Sequence, residues 1–157
     1  MKYKLTTNFI EFNNKKLYQI EALKDFIGVK DFDFQDIKAG DLGGYIESEK
    51  NLSQRGNCWV YQLAMVFGKA IVYEDAIIFG RARISGNANI CGKAVVGDKA
   101  WVYGSAMVCG KAIVYDDARV FGDTTVDDAI IFGKARISGN CSVVGYVKVS
   151  GNGLISQ

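Results

Sequence analysis

"AIIFGRARISGNA" occupies residues 76–88 and "AIIFGKARISGNC" occupies 129–141, with eleven of thirteen letters identical at a distance of 53 residues. A fixed internal period decides the fold before any local reading does. Followed outward from these copies, a β-branched aliphatic residue returns every six positions: Val60, Val66, Val72, Ile78, Ile84, Ile90, Val96, Val102, Val108, Val114, Val120 and Val126. One residue is then missing, and the series resumes at Ile131, Ile137, Val143, Val149 and Ile155. Two positions before most of these stands alanine, as at Ala64, Ala70, Ala76 and Ala82. Residues two apart face the same side of a strand, and the Gly, Asp and Asn that follow tolerate turns, so each hexad reads as a short strand and a corner. Strands this short that always turn the same way stack as a coil with parallel ladders. The predicted fold is an all-β, single-stranded parallel β-helix.

The segments V-F-G-K-A-I at 66–71 and I-S-G-N-A-N at 84–89 resemble the hexapeptide-repeat family of left-handed parallel β-helices, a likeness that covers residues 58–157. The chain departs from the family pattern in placing glycine one residue late and an aromatic first. The resemblance implies a left-handed triangular prism of about six coils, with three hexads or 18 residues per coil. At ~4.8 Å between ladder neighbours such a prism is about 27 Å long. The 53-residue distance is then three coils less one deletion, near Asp127 and Asp128, and the opening repeat is scaffold periodicity. The stretch "GDLGGYIESEKNLSQRGNCWVY" at 40–61 is similar to short hexapeptide-repeat proteins of phages and bacterial genomes.

Composition is 49% hydrophobic and 23% charged with net charge +2, which excludes a disordered tail and a strongly cationic nucleic-acid binder. The opening residues lack the apolar core of a secretory signal and no 18-residue apolar run follows, so the expectation is a cytoplasmic protein without membrane contact, in the host cytoplasm if phage-encoded. Four cysteines without a C-x-x-C pair read as reduced thiols. Residues 1–50 lack the hexad. "FIEFNNKKLYQI" at 9–20 alternates as two strands around a turn, and the segment is expected to cap the solenoid formed by residues 51–157.

Folding the sequence at 18 residues per coil assigns three outward faces. The first carries Trp59, Tyr61, Ile77, Phe79, Val95, Ile113, Tyr115, Ile130 and Phe132, an apolar stripe that needs a cover. A second subunit is the favoured cover, making a homodimer or homotrimer; residues 1–50 are the other choice. The second face stacks Arg83, Trp101 with Tyr103, Arg119 with Phe121, and Arg136, and its corner is glycine on every coil. Arginine beside aromatic rings can stack and can fork onto carboxylate or phosphate, so these residues are the candidate partner-binding site. The third face brings Cys91 and Cys109 onto adjacent coils without further metal ligands, and no metal or cofactor site is expected.

Hexapeptide-repeat proteins are often acyltransferases with a histidine base, and others bind zinc through histidine. This chain has no histidine, so neither chemistry carries over. The expected function is a non-catalytic protein-interaction scaffold, with the resemblance to phage proteins implying an inhibitor of a host factor such as a CRISPR-type defence complex. The second expectation is a degenerate acyltransferase or nucleotide-binding protein that uses the Arg/aromatic face, with nucleic acid a weaker candidate partner.

Overall fold

The computed structural model describes residues 1–28 and 32–156. Residues 29–31, inside the capping segment, lie outside the described residues. Three sheets of parallel two- and three-residue strands run the length of a solenoid of roughly six turns. On the first face Trp59, Ile77, Val95, Ile113, Ile130 and Lys148 are successive rungs. On the second the rungs are Met65, Arg83, Trp101, Arg119, Arg136 and Leu154. The third stacks Ile71, Asn89, Met107, Thr125 and Ser142. Rungs are 18 residues apart until Ile113 meets Ile130, 17 on, where the corner at Asp128 is one residue short.

The alanine and Val/Ile columns point inward and make one continuous core from Tyr3 to Val143. Each fully buried Val or Ile contributes roughly 1.5–3 kcal/mol relative to exposure, which is how strands of two residues hold. Val149 and Ile155, in the last rungs, are half-buried.

The coil closes because every corner takes a left-handed residue. After the second face these are Gly68, Gly86, Gly104, Gly122 and Gly139, with φ of 67°, 65°, 69°, 73° and 82°. At the other two corners Gln62, Glu74, Asp98, Asp116 and Asp128 adopt the same conformation, which costs a non-glycine residue about 1 kcal/mol. Their side chains offset it. Gln62 accepts from the Gly80 amide at 2.8 Å, Glu74 from Gly92 at 2.5 Å, Asp98 from Asp116 at 3.3 Å and Asp116 from Gly133 at 3.0 Å.

Residues 1–50 continue the second sheet upward. Strands β1 (Tyr3–Phe12) and β2 (Lys15–Ala22) form a hairpin through Asn13 and Asn14, β2 pairs antiparallel with β3 (Leu42–Ile46), and β3 pairs parallel with Met65–Val66. The Gly43-Gly44 pair is the junction. A Cβ on Gly43 would stand 2.6 Å from the Val60 carbonyl oxygen, and one on Gly44 2.6 Å from that of Ala64, so only glycine lets β3 lie this close to the first coil. The N-terminus is tied down as well: Lys2 Nζ donates to the Cys58 carbonyl at 2.8 Å and the Tyr3 hydroxyl to the Leu52 carbonyl at 2.6 Å.

Candidate functional site

On the second face the ladder register turns sequence neighbours eighteen apart into stacked side chains. The Arg83 guanidinium lies over the Trp101 ring at 5.4 Å and Arg119 lies on the other side of the same ring at 5.5 Å. Trp101 also tilts against Tyr103 at 4.4 Å, and Tyr103 stacks on Phe121 at 4.8 Å with an interplanar angle of 3°. The indole N–H donates to the Ser85 hydroxyl at 3.3 Å. Arg136 occupies the rung below Arg119. All six residues named from the sequence therefore share one face, with Arg119 and Arg136 exposed and the rest partly so.

The ion pairs among the described residues are Lys4–Glu21, Lys15–Glu47 and Lys38–Asp25, none of which involves an arginine. Arg119 and Arg136 stand on consecutive rungs, about 4.8 Å apart along the ladder, where like charges directly opposite are destabilising. Stacking on Trp101 holds Arg119 in place without neutralising it. What the sequence missed is the upper boundary: Phe12, at the tip of the β1–β2 hairpin, packs on Phe67 at 5.6 Å and under Arg83 at 5.2 Å. Its place before the Asn13-Asn14 turn is a hairpin signal, but nothing local says where the hairpin lies.

The first face needs a correction. Trp59, Ile77 and Val95 are buried within this chain, with exposures of 1%, 0% and 2%, so they are unavailable to a second subunit. Phe26 packs edge-on against Trp59 at 5.3 Å, while Phe34 stacks on Tyr61 at 4.5 Å and meets Phe79 at 5.2 Å. The N-terminal segment is the cover over the upper coils, because its loop brings two phenylalanines to the stripe. Phe79 in turn fills the space a Gly97 side chain would need. Burial pushes the Tyr61 hydroxyl up to about 12, and that hydroxyl has no hydrogen-bond partner among the described residues. Ile113, Tyr115, Ile130 and Phe132 remain half-buried below the cover, with Tyr115 stacked on Phe132 at 5.3 Å.

All four cysteines are free: Cys91, Cys109 and Cys141 belong to the third face, and Cys58 precedes the first-face strand Trp59–Val60. Burial, and then the Asp127 carboxylate, push the Cys109 thiol up to about 11, so it stays protonated at neutral pH and is a poor nucleophile or metal ligand. Among the described residues no three Cys, Asp or Glu side chains are placed to hold a metal ion, and no helix is long and apolar enough to cross a membrane.

No protein-family model matches the chain. A stretch of 50 residues is 46% identical to the uncharacterized acetyltransferase YdcK of Escherichia coli (strain K12). That stretch is 31% of this chain and 15% of YdcK. The activity in the relative's name belongs to a protein of which this chain matches a small part.

Proposed function

We propose that the chain is a non-catalytic interaction scaffold whose Arg/aromatic face engages a protein partner. The observation that carries this reading is a ladder of three arginines without carboxylate partners among the described residues, of which Arg83 and Arg119 are held against Trp101. Arg and Trp are the residues in which interface energy concentrates. A host defence complex is the partner class that the phage-like opening implies. Self-association belongs to the lower part of the apolar face, at Ile113, Tyr115, Ile130 and Phe132, where the N-terminal cover stops.

The test is a pulldown from bacterial lysate with the wild type and with an Arg83, Arg119, Arg136 triple alanine variant of matched Tm. The wild type is expected to retain a protein that the variant loses; equal retention overturns the site.

A second reading, transferase activity, is favoured by the YdcK match. The absence of histidine weighs against it, since an Asp or Glu base would need a pKa raised toward neutrality. Incubation with acyl-CoA donors and a panel of amine and hydroxyl acceptors decides: turnover abolished by one Asp or Glu substitution would establish the enzyme.

A further inference from the structure

The corners of the solenoid treat their amides in two ways. At several first and third corners the side chain of a left-handed residue reaches along the axis and accepts from the corner amide of the next coil, as Gln62 does for Gly80, Glu74 for Gly92 and Asp116 for Gly133, whereas below Gly80, Gly92 and Gly133 the amides of Asp98, Gly110 and Gly151 have no acceptor among the described residues. The second corner is glycine on every coil and has no side chain to do this. Its carbonyls are used: those of Gly86, Gly104, Gly122 and Gly139 accept from Lys69, Asn87, Ser105 and Asp123. Its amides are not. Those of Gly86, Gly104, Gly122 and Gly139 donate to no acceptor among the described residues.

The corner is tightly stacked: a Cβ on Gly86 would stand 2.8 Å from the Gly104 carbonyl oxygen and 2.9 Å from its nitrogen, and one on Gly122 2.8 Å and 3.0 Å from those of Gly139. An acceptor for these amides has to come from outside the corner. The uppermost amide shows what fits. Glu47, from the N-terminal segment, places a carboxylate oxygen 2.6 Å from the Gly68 amide while pairing with Lys15 at 2.9 Å. Its carboxyl is held below the usual range, first by the Lys15 hydrogen bond and then by the Gly68 amide. Below it, along the same face, run Arg83, Arg119 and Arg136.

We propose that this glycine corner and the arginine ladder beside it form one docking surface for an acidic segment of a partner protein, whose carboxylates take the amides of Gly86, Gly104, Gly122 and Gly139. The inference rests on the reading of the Arg/aromatic face as a protein contact and names the partner's chemistry. Carboxylate is favoured over nucleic acid because ring faces that would stack bases are taken, those of Trp101 by two guanidiniums and one of Tyr103 by Phe121. Asp123, which follows Gly122, is the acid in the row Lys69, Asn87, Ser105, Asp123 and Asn140, so the segment approaches from the arginine side.

The experiment is a titration of the ¹⁵N-labelled full chain with a deca-glutamate peptide at low salt, read at the glycine amides. Gly86, Gly104, Gly122 and Gly139 are expected to shift, while Gly80, Gly92 and Gly133, whose amides already have acceptors, stay in place. Shifts of equal size at both sets, or none at the second corner, overturn the proposal, and this readout needs no variant. Gly104→Asn and Gly122→Asn add a neutral side-chain acceptor of the kind Gln62 supplies at the first corner. At matched Tm they should weaken deca-glutamate about tenfold or more. If these variants bind as wild type while the triple arginine variant does not, the amide column falls and the Arg/aromatic face stands; if the arginine variant also binds normally, both fall. Tighter binding of a ten-nucleotide oligo-dT than of deca-glutamate overturns the assignment to an acidic protein.

Discussion

The first and second faces are built from the same hexad in the same register, yet one is largely closed and the other open. Trp59 and Trp101 make the comparison concrete. Each begins a two-residue strand and points away from the core, but Trp59 is 1% exposed under Tyr3 and Phe26, whereas Trp101 stays partly exposed between two arginines. An outward position in a solenoid is therefore not a surface position until the rest of the chain is placed.

The largest break in that comparison comes from truncating its closed member. Trp59→Ala should cost about 3–5 kcal/mol, the range for a buried aromatic, measured by chemical denaturation; Trp101→Ala should cost far less. A Trp59→Ala penalty under about 1 kcal/mol would mean that the N-terminal segment does not cover this face in solution.

Phe34→Ala tests the lower edge of the cover, where its ring stacks on Tyr61 and touches Phe79. A loss of about 2 kcal/mol is expected for this half-buried ring, with increased binding of a hydrophobic dye to the bared stripe. In sedimentation, Ile113→Glu with Phe132→Glu should give smaller particles than the wild type; a monomeric wild type would remove self-association from the lower stripe.

Tyr61→Phe sharpens the comparison in the opposite direction. It keeps the stacked ring and removes a buried hydroxyl that has no partner among the described residues, so stability should be unchanged or rise by about 1 kcal/mol. The pH dependence follows from the same group. Its folded pKa of about 12 lies above the model-compound value of 10.0, so the unfolded chain releases the proton first. The stability is fully present below pH 10 and is lost as pH rises toward 12, and Tyr61→Phe should reduce this alkaline loss.

The smallest stability effect is expected on the open face. The Arg83, Arg119, Arg136 triple alanine variant gives up cation–π contacts worth about 0.5–1 kcal/mol each at exposed sites and relieves the Arg119–Arg136 repulsion. Its Tm should shift by only a few degrees; a large fall would reassign the ladder to structural support.

The solenoid was legible in the sequence because each rung repeats the same local choices. Val60 to Ile155, the alanines two residues earlier and the left-handed corners form a pattern that needs no long-range information, and even the short corner at Asp128 shows as a break in the six-residue count. The Arg/aromatic face was legible for the same reason: once the period is 18, the neighbours of Arg83 and Trp101 are arithmetic. The covered face was not. Phe26 and Phe34 lie in an aperiodic stretch, and their distance from Trp59 and Tyr61 depends on how β3 docks through Gly43 and Gly44.

The hydrophobic period by itself determined the parallel coil, its three columns of core residues and which side chains share a face, because those follow from strand geometry and steric turn preferences acting over six residues. Only the tertiary structure decided which outward faces meet water. That depended on contacts between Trp59 and residues dozens of positions away, on the hairpin tip at Phe12 reaching Arg83, and on Glu47 accepting from the first amide of the glycine corner while the amides below it have no acceptor among the described residues. Such contacts leave no local period, since they are fixed by the packing of one segment on a surface that exists only after the coil has formed.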